Sequence, residues 1–188
     1  MLMSQANTMR TRIILTLAVA AYEMVHLGWE YTHGGVVSHH ILQRPDLPAI
    51  SNWWGLVLLP VLAWFLIGRM QATNAQQSKA FPSRDMMLRF VAALAYGAGL
   101  ATAFSLGYES VTTTLFFSLF ALALLTALYR AELVLGFVLG MSFVFGAVLP
   151  TLIAGIFAAL SWLLHGLVRL FGKAVVRLVS WARGKGSA

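Results

Sequence analysis

Apolar stretches of membrane-spanning length, separated by short polar breaks, make up most of this chain. A helix needs about 20 mostly apolar residues to cross the hydrocarbon of a bilayer. The pattern predicts such spans at Thr11–Tyr31, Asn52–Met70, Met86–Tyr108 and Val111–Tyr129. The last apolar stretch, Ala131–Phe171, is too long for one ordinary span. Pro150 lies near its middle, in Gly146-Ala147-Val148-Leu149-Pro150-Thr151. Proline removes a helix donor and clashes with the preceding turn, so two spans meeting at a tight turn are expected there. The predicted architecture is an all-α integral membrane bundle of about six transmembrane helices. The alternative is five spans, the last one kinked and followed by an interfacial helix.

Charge separates these two topologies. With six spans and a cytoplasmic N-terminus, Arg10, Arg12, Arg69, Lys79, Arg84, Arg89, Arg130, Arg169, Lys173, Arg177, Arg183 and Lys185 all lie inside, and Arg44 alone lies outside. Cytoplasmic loops carry an excess of Lys and Arg, so six spans with both termini cytoplasmic is preferred. Arg10 and Arg12 precede a short apolar run, and Ala18-Val19-Ala20 resembles a signal-peptidase site. The apolar pattern continues past Ala20, so an uncleaved first helix is expected. The polar connection Gln71–Asp85 reads as a cytoplasmic loop.

The composition agrees. Hydrophobic residues make up 60% of the 188 and charged residues only 10%, against roughly 25% charged in a soluble domain. Residues 1–172 are read as the bundle and 173–188 as a basic cytoplasmic C-terminal tail. His165, Arg169, Lys173 and Arg177 recur every four residues among Leu167, Leu170, Phe171, Val175 and Leu178. That is a basic amphipathic segment suited to the anionic lipids of the cytoplasmic leaflet. The net charge of +7 therefore reflects topology, and no nucleic-acid partner is expected. Gly136-Phe137-Val138-Leu139-Gly140 permits close helix packing, within the chain, in a homo-oligomer or in a membrane complex. Short loops and the absence of cysteine fit a bacterial inner membrane.

One feature departs from the apolar pattern. Glu23, His26, Glu30 and His33 follow one another at steps of three, four and three in the first span. At about 100° per residue they share roughly a quarter of the helix circumference. An ionisable group at mid-bilayer costs on the order of 2.5–3.5 kcal/mol or more, and such groups usually face protein or a water-filled cavity. The segment His33-Gly34-Gly35-Val36-Val37-Ser38-His39-His40 follows directly. Its glycines permit a sharp turn that folds His39 or His40 back over the helix end. Arg44-Pro45-Asp46-Leu47-Pro48 stiffens the return, Ser51 or Asn52 is placed to cap the second helix, and Trp53-Trp54 forms an interfacial anchor. Asp46, Asn52 and Glu109 fall on the same side as the histidines.

Imidazole and carboxylate ligands suit zinc, iron or copper. Glu30-Tyr31-Thr32-His33 is a Glu-x-x-His step of the kind found in bundle metal sites. The expected shell is Glu30 and His33 completed by His39 or His40, with His26 as a ligand or its support. Glu23 and Glu30 are the expected proton-moving groups. Glu23 and His33 are ten residues apart, about 15 Å along the axis, so one ion cannot take all four. The first functional reading is a metal-dependent membrane enzyme acting on a lipid-like substrate near the outer face. The alternatives are a proton or cation transporter using the same stripe, with Tyr96, Thr102, Ser105, Ser118 and Thr126 as path residues, or a small assembly subunit of a membrane complex. The chain contains no P-loop, nucleophile elbow, HExxH or EF-hand pattern.

Overall fold

The computed structural model describes residues 2–40, 46 and 48–185. Arg44, Pro45 and Leu47 of the expected stiffened return lie outside the described residues. Among those described, six α-helices run α1 Leu2–Thr32, α2 Gly55–Gln76, α3 Arg84–Ser105, α4 Glu109–Leu125, α5 Ala131–Phe145 and α6 Val148–Lys185. The helices alternate in direction. One end of the bundle therefore gathers the α1–α2, α3–α4 and α5–α6 connections, and the other gathers the rest.

Four segments are long and apolar enough to cross a membrane: Asn7–Thr32, Asn52–Gln76, Arg84–Ser105 and Val148–Arg177. Helices α4 and α5 are shorter, at 17 and 15 residues. The break between α5 and α6 differs from the expected one. It falls at Gly146, whose φ is +65°, and Pro150 sits in the first turn of α6. A proline there blocks no hydrogen bond, because the first N–H groups of a helix have no partner within it. Helix α6 then continues without interruption from the apolar stretch into the basic segment.

The tightest packing is between α3 and α5. A Cβ at Gly140 would fall on the Leu94 carbonyl, one at Gly136 on the Phe90 carbonyl, and one at Gly97 on the Phe137 carbonyl. Three glycines thus bring two backbones into contact, as small residues do between apolar helices. Leu59, Leu100, Ala101, Val138, Met141 and Phe157 are buried around this seam. Arg12 fastens α1 to α2. Its Nε donates to the Trp64 carbonyl at 2.9 Å and its guanidinium lies 4.0 Å from the Trp64 ring centroid. Gly68 leaves the space it occupies.

The connection between α1 and α2 is not a plain loop. Residues Ser38–His40 (β1) pair antiparallel with Ala49–Ser51 (β2), setting His39 opposite Ile50. A 3₁₀ turn, Asn52–Trp54, leads into α2. The Ser51 hydroxyl accepts from the Trp53 N–H at 3.4 Å, so Ser51 caps this turn. This hairpin lies across the end of the bundle where α1 finishes and α2 and α6 begin.

Candidate functional site: a buried Glu–His–Glu chain beneath the hairpin

Helical spacing places Glu23, His26 and Glu30 on one face of α1, and that face turns inward. Glu23 is fully buried, with no exposed surface, and His26 is 6% exposed. The imidazole stands between the two carboxylates. Its Nδ1 is 3.6 Å from Glu23 Oε2 and its Nε2 is 3.5 Å from Glu30 Oε1. Nε2 also lies 3.1 Å from the Phe143 carbonyl oxygen on α5. A carbonyl oxygen only accepts, so this contact assigns the proton to Nε2. In the neutral ring Nδ1 is then a bare lone pair. It faces a carboxylate, which is also an acceptor.

Glu30 closes the chain toward the hairpin. Its Oε1 accepts from Asn52 Nδ2 at 2.7 Å and its Oε2 from the Val37 N–H at 3.1 Å. Asn52, expected as a helix cap, instead reaches across to α1 and is itself buried. His39 projects from β1 against the Phe145 ring, with centroids 6.4 Å apart. Burial holds its imidazole below the ordinary histidine value, opposed by the nearby Glu30 charge. A depressed histidine pKa means that the unfolded chain takes up the proton first. Stability tied to His39 is thus full above about pH 6.5, the unfolded value, and falls as the pH drops toward the folded one. Thermal unfolding between about pH 7.5 and pH 5 should show a larger acid loss for wild type than for His39→Phe. Equal losses would contradict this.

Several buried polar atoms here have no hydrogen-bond partner: both carboxylate oxygens of Glu23, Nδ1 of His26 and Nε2 of His39. Buried polar groups in folded proteins almost always find partners, so a cluster of exceptions marks a place that awaits one. Two glycines make the room. A Cβ at Gly55 would fall on the Glu23 carboxylate, and one at Gly146 on the Asn52 amide oxygen. Both were missed in the pattern, although a glycine opening an apolar helix directly after Trp53-Trp54 was a visible signal. Phe143 enters through its backbone carbonyl and through its ring, whose centroid lies 5.5 Å from that of His26, and nothing in the apolar pattern marked it.

The other expected residues lie elsewhere. His33 turns onto Trp29, with ring centroids 3.6 Å apart and Nδ1 at 2.9 Å from the Trp29 carbonyl. It is exposed while Glu30 faces the hairpin, so the Glu30–His33 pair does not form. His40 and Asp46 are exposed. Glu109 is exposed in the α3–α4 turn, in a shallow hollow with Gly107, Tyr108, Ser110 and Val111. Among the described residues no three His, Cys, Asp or Glu side chains form a metal-holding group. A two-ligand position remains between His26 Nδ1 and Glu23 Oε2, since 3.6 Å suits two bonds of about 2.0–2.2 Å to one ion.

Beyond the chain toward the opposite end, polarity stops quickly. The Tyr22 hydroxyl and Ser142 Oγ are 3.3 Å apart, and the Tyr22 ring stacks on His26. Past Tyr22 the walls between α1, α2, α3 and α5 are Leu15, Ala18, Val19, Ile67 and Met70 around a cavity of about 420 Å³. Two of the expected path residues are tied to carbonyls on α4. Tyr96 donates to the Leu115 carbonyl at 2.5 Å and Thr126 to the Leu122 carbonyl at 2.8 Å. Comparison of the chain with protein-family models, with curated proteins and with solved structures found no match.

Proposed function

We propose that this chain is an integral membrane protein of six spans, with both termini cytoplasmic and the hairpin at the outer face of a bacterial inner membrane. Its working centre is Glu23–His26–Glu30, an acid–base site that moves a proton to or from a lipid-like substrate presented beneath the hairpin. The membrane reading draws support from apolar residues exposed around the bundle, among them Ile14, Leu17, Val57, Phe65, Phe117 and Ile156. A soluble monomer rarely exposes such a continuous apolar surface. The inward excess of Lys and Arg supports the orientation. The exposed Arg169, Lys173 and Arg177 on α6 would then meet anionic headgroups.

The observation that carries the acid–base reading is an acceptor facing an acceptor. His26 Nδ1 and the Glu23 carboxylate confront each other in a buried interior where no other side chain bonds to either. One positive charge between them completes the geometry, and the proton is the smallest. Glu30, held by Asn52 and the Val37 amide, is the link to the hairpin side. The proton would pass between Glu30, His26 and Glu23 as the substrate accepts or releases it. Local catalysis is favoured over conduction because the walls beyond Tyr22 are apolar.

A transition-metal ion is the second reading. The 3.6 Å separation of Nδ1 and Oε2 favours it, and zinc, iron or copper would suit a nitrogen and an oxygen ligand. One preparation tests both. The purified protein is placed in vesicles of phosphatidylglycerol and phosphatidylethanolamine, lipid products are followed by mass spectrometry, and bound metal is measured by elemental analysis. The acid–base reading expects turnover that falls at least about 100-fold in Glu23→Gln and His26→Gln, with no stoichiometric metal. One metal per chain, lost in Glu23→Gln, replaces the proton by the ion. Glu23-dependent proton flux without lipid turnover rejects the enzyme.

A further inference from the structure

A second chamber, of about 300 Å³, lies between α3, α4, α5 and α6, and none of the Glu–His–Glu residues lines it. It exists because α4 packs on α3 and α6 but not along α5. Tyr96 braces that gap from α3, bonding to the Leu115 carbonyl and to Ser118 Oγ of α4. The interior is apolar, with Leu119, Phe137, Ala154 and Phe157 among its walls. The mouth differs. Arg89 on α3, and Thr126 and Leu128 just past the end of α4, line the chamber where it reaches the end of the bundle away from the hairpin.

Charge gathers at this mouth. Arg89 Nε donates to Glu132 Oε1 at 2.8 Å, and Arg130 Nη1 lies 3.9 Å from the same oxygen. Arg169 of α6 is fixed at the same connection, donating to the Tyr129 hydroxyl at 3.0 Å. Two guanidinium groups therefore meet one carboxylate, and a third is held at the same connection by the Tyr129 hydroxyl. That excess suits a phosphate, and guanidinium groups bind phosphate through several donors. From Arg89 to Tyr96 is seven residues of helix, about 10 Å. One leaflet of hydrocarbon is about 15 Å deep, half of the core, so the chamber matches most of one acyl chain.

We propose that this chamber holds one acyl chain of an anionic phospholipid from the cytoplasmic leaflet, with the phosphate over Arg89, Arg130 and Arg169. The inference rests on the membrane reading and its orientation, and is independent of the acid–base centre. A chain in the chamber would fill the space that α4 leaves beside α5, and the mouth would select the headgroup by charge.

The test uses full-length protein stripped of lipid in detergent, returned to phosphatidylcholine vesicles containing phosphatidylglycerol, and examined by native mass spectrometry. The expected result is one retained phosphatidylglycerol per chain, preferred over phosphatidylcholine. Arg130→Gln leaves the Arg89–Glu132 pair intact and should reduce that preference about fivefold. Ala154→Phe fills the chamber and should abolish retention of both lipids. Ala92→Phe, from the α3 wall, serves the same purpose if Ala154→Phe does not fold. Unchanged preference in Arg130→Gln overturns the proposal, as does full retention in a folded chamber-filling variant. Failure of the wild type to float with vesicles would instead reject the membrane reading.

Discussion

Gly140→Ala should separate α3 from α5 and lower stability by about 3 kcal/mol, the upper end of what overpacking costs. The added methyl would meet the Leu94 carbonyl and the Ala98 amide nitrogen, which are backbone atoms. A side chain in that position could rotate away, whereas a helix must move as a body. Gly136 and Gly97 lie against the same seam, so the shift would reach three contacts together. Gly99→Ala is the matched control. It lies on the same helix as Gly97, two residues on, with nothing within 4 Å of its added Cβ. That change should be neutral or stabilising by up to about 1 kcal/mol through helix propensity. Unfolding midpoints of the two variants in one detergent give the comparison, and equal midpoints would deny that close α3–α5 approach holds the bundle together.

Glu23→Met should raise stability while ending activity. The Glu23 carboxylate is fully buried, has no hydrogen-bond partner and faces a lone pair 3.6 Å away. A buried charge without a hydrogen-bond partner carries a desolvation penalty of roughly several kcal/mol, so an apolar side chain of similar volume in its place should be stabilising by about 1 kcal/mol or more. Methionine fits because its unbranched, flexible chain follows the path of glutamate through the space left by Gly55. His26 keeps its bond to the Phe143 carbonyl and its contact with Glu30. A clasp between helices behaves in the opposite way, since removing one partner of a buried pair costs roughly 3–5 kcal/mol. The sign of the change therefore separates a residue kept for chemistry from one kept for cohesion. Functional sites commonly carry such a stability cost.

The helical segments were legible because each apolar stretch is bounded by polar residues, but four of them among the described residues are long and apolar enough to cross a membrane, and α1 begins nine residues before, and α2 ends six residues after, the predicted spans. The inward face of α1 was legible as well, since the three-four step of Glu23, His26 and Glu30 has one geometric meaning. His33 was misread because it lies at the end of α1, where an exposed Trp29 ring competes for it. The hairpin was hidden because strands of three residues are too short to show an alternating pattern. Asn52 looked like a cap because capping is a local rule, while its bond to Glu30 spans 22 positions of sequence. The α5–α6 turn was assigned to Pro150, although Gly146 carries the positive φ. Proline and glycine occur four residues apart there, and only the backbone tells which one breaks the helix.

Side-by-side unfolding of wild type and Glu23→Met in the same detergent, read together with lipid turnover in vesicles, tests the central claim most directly. A site kept for proton transfer predicts a higher midpoint for the variant and no turnover. A midpoint lower by several degrees, or a variant that turns over lipid as the wild type does, would contradict it.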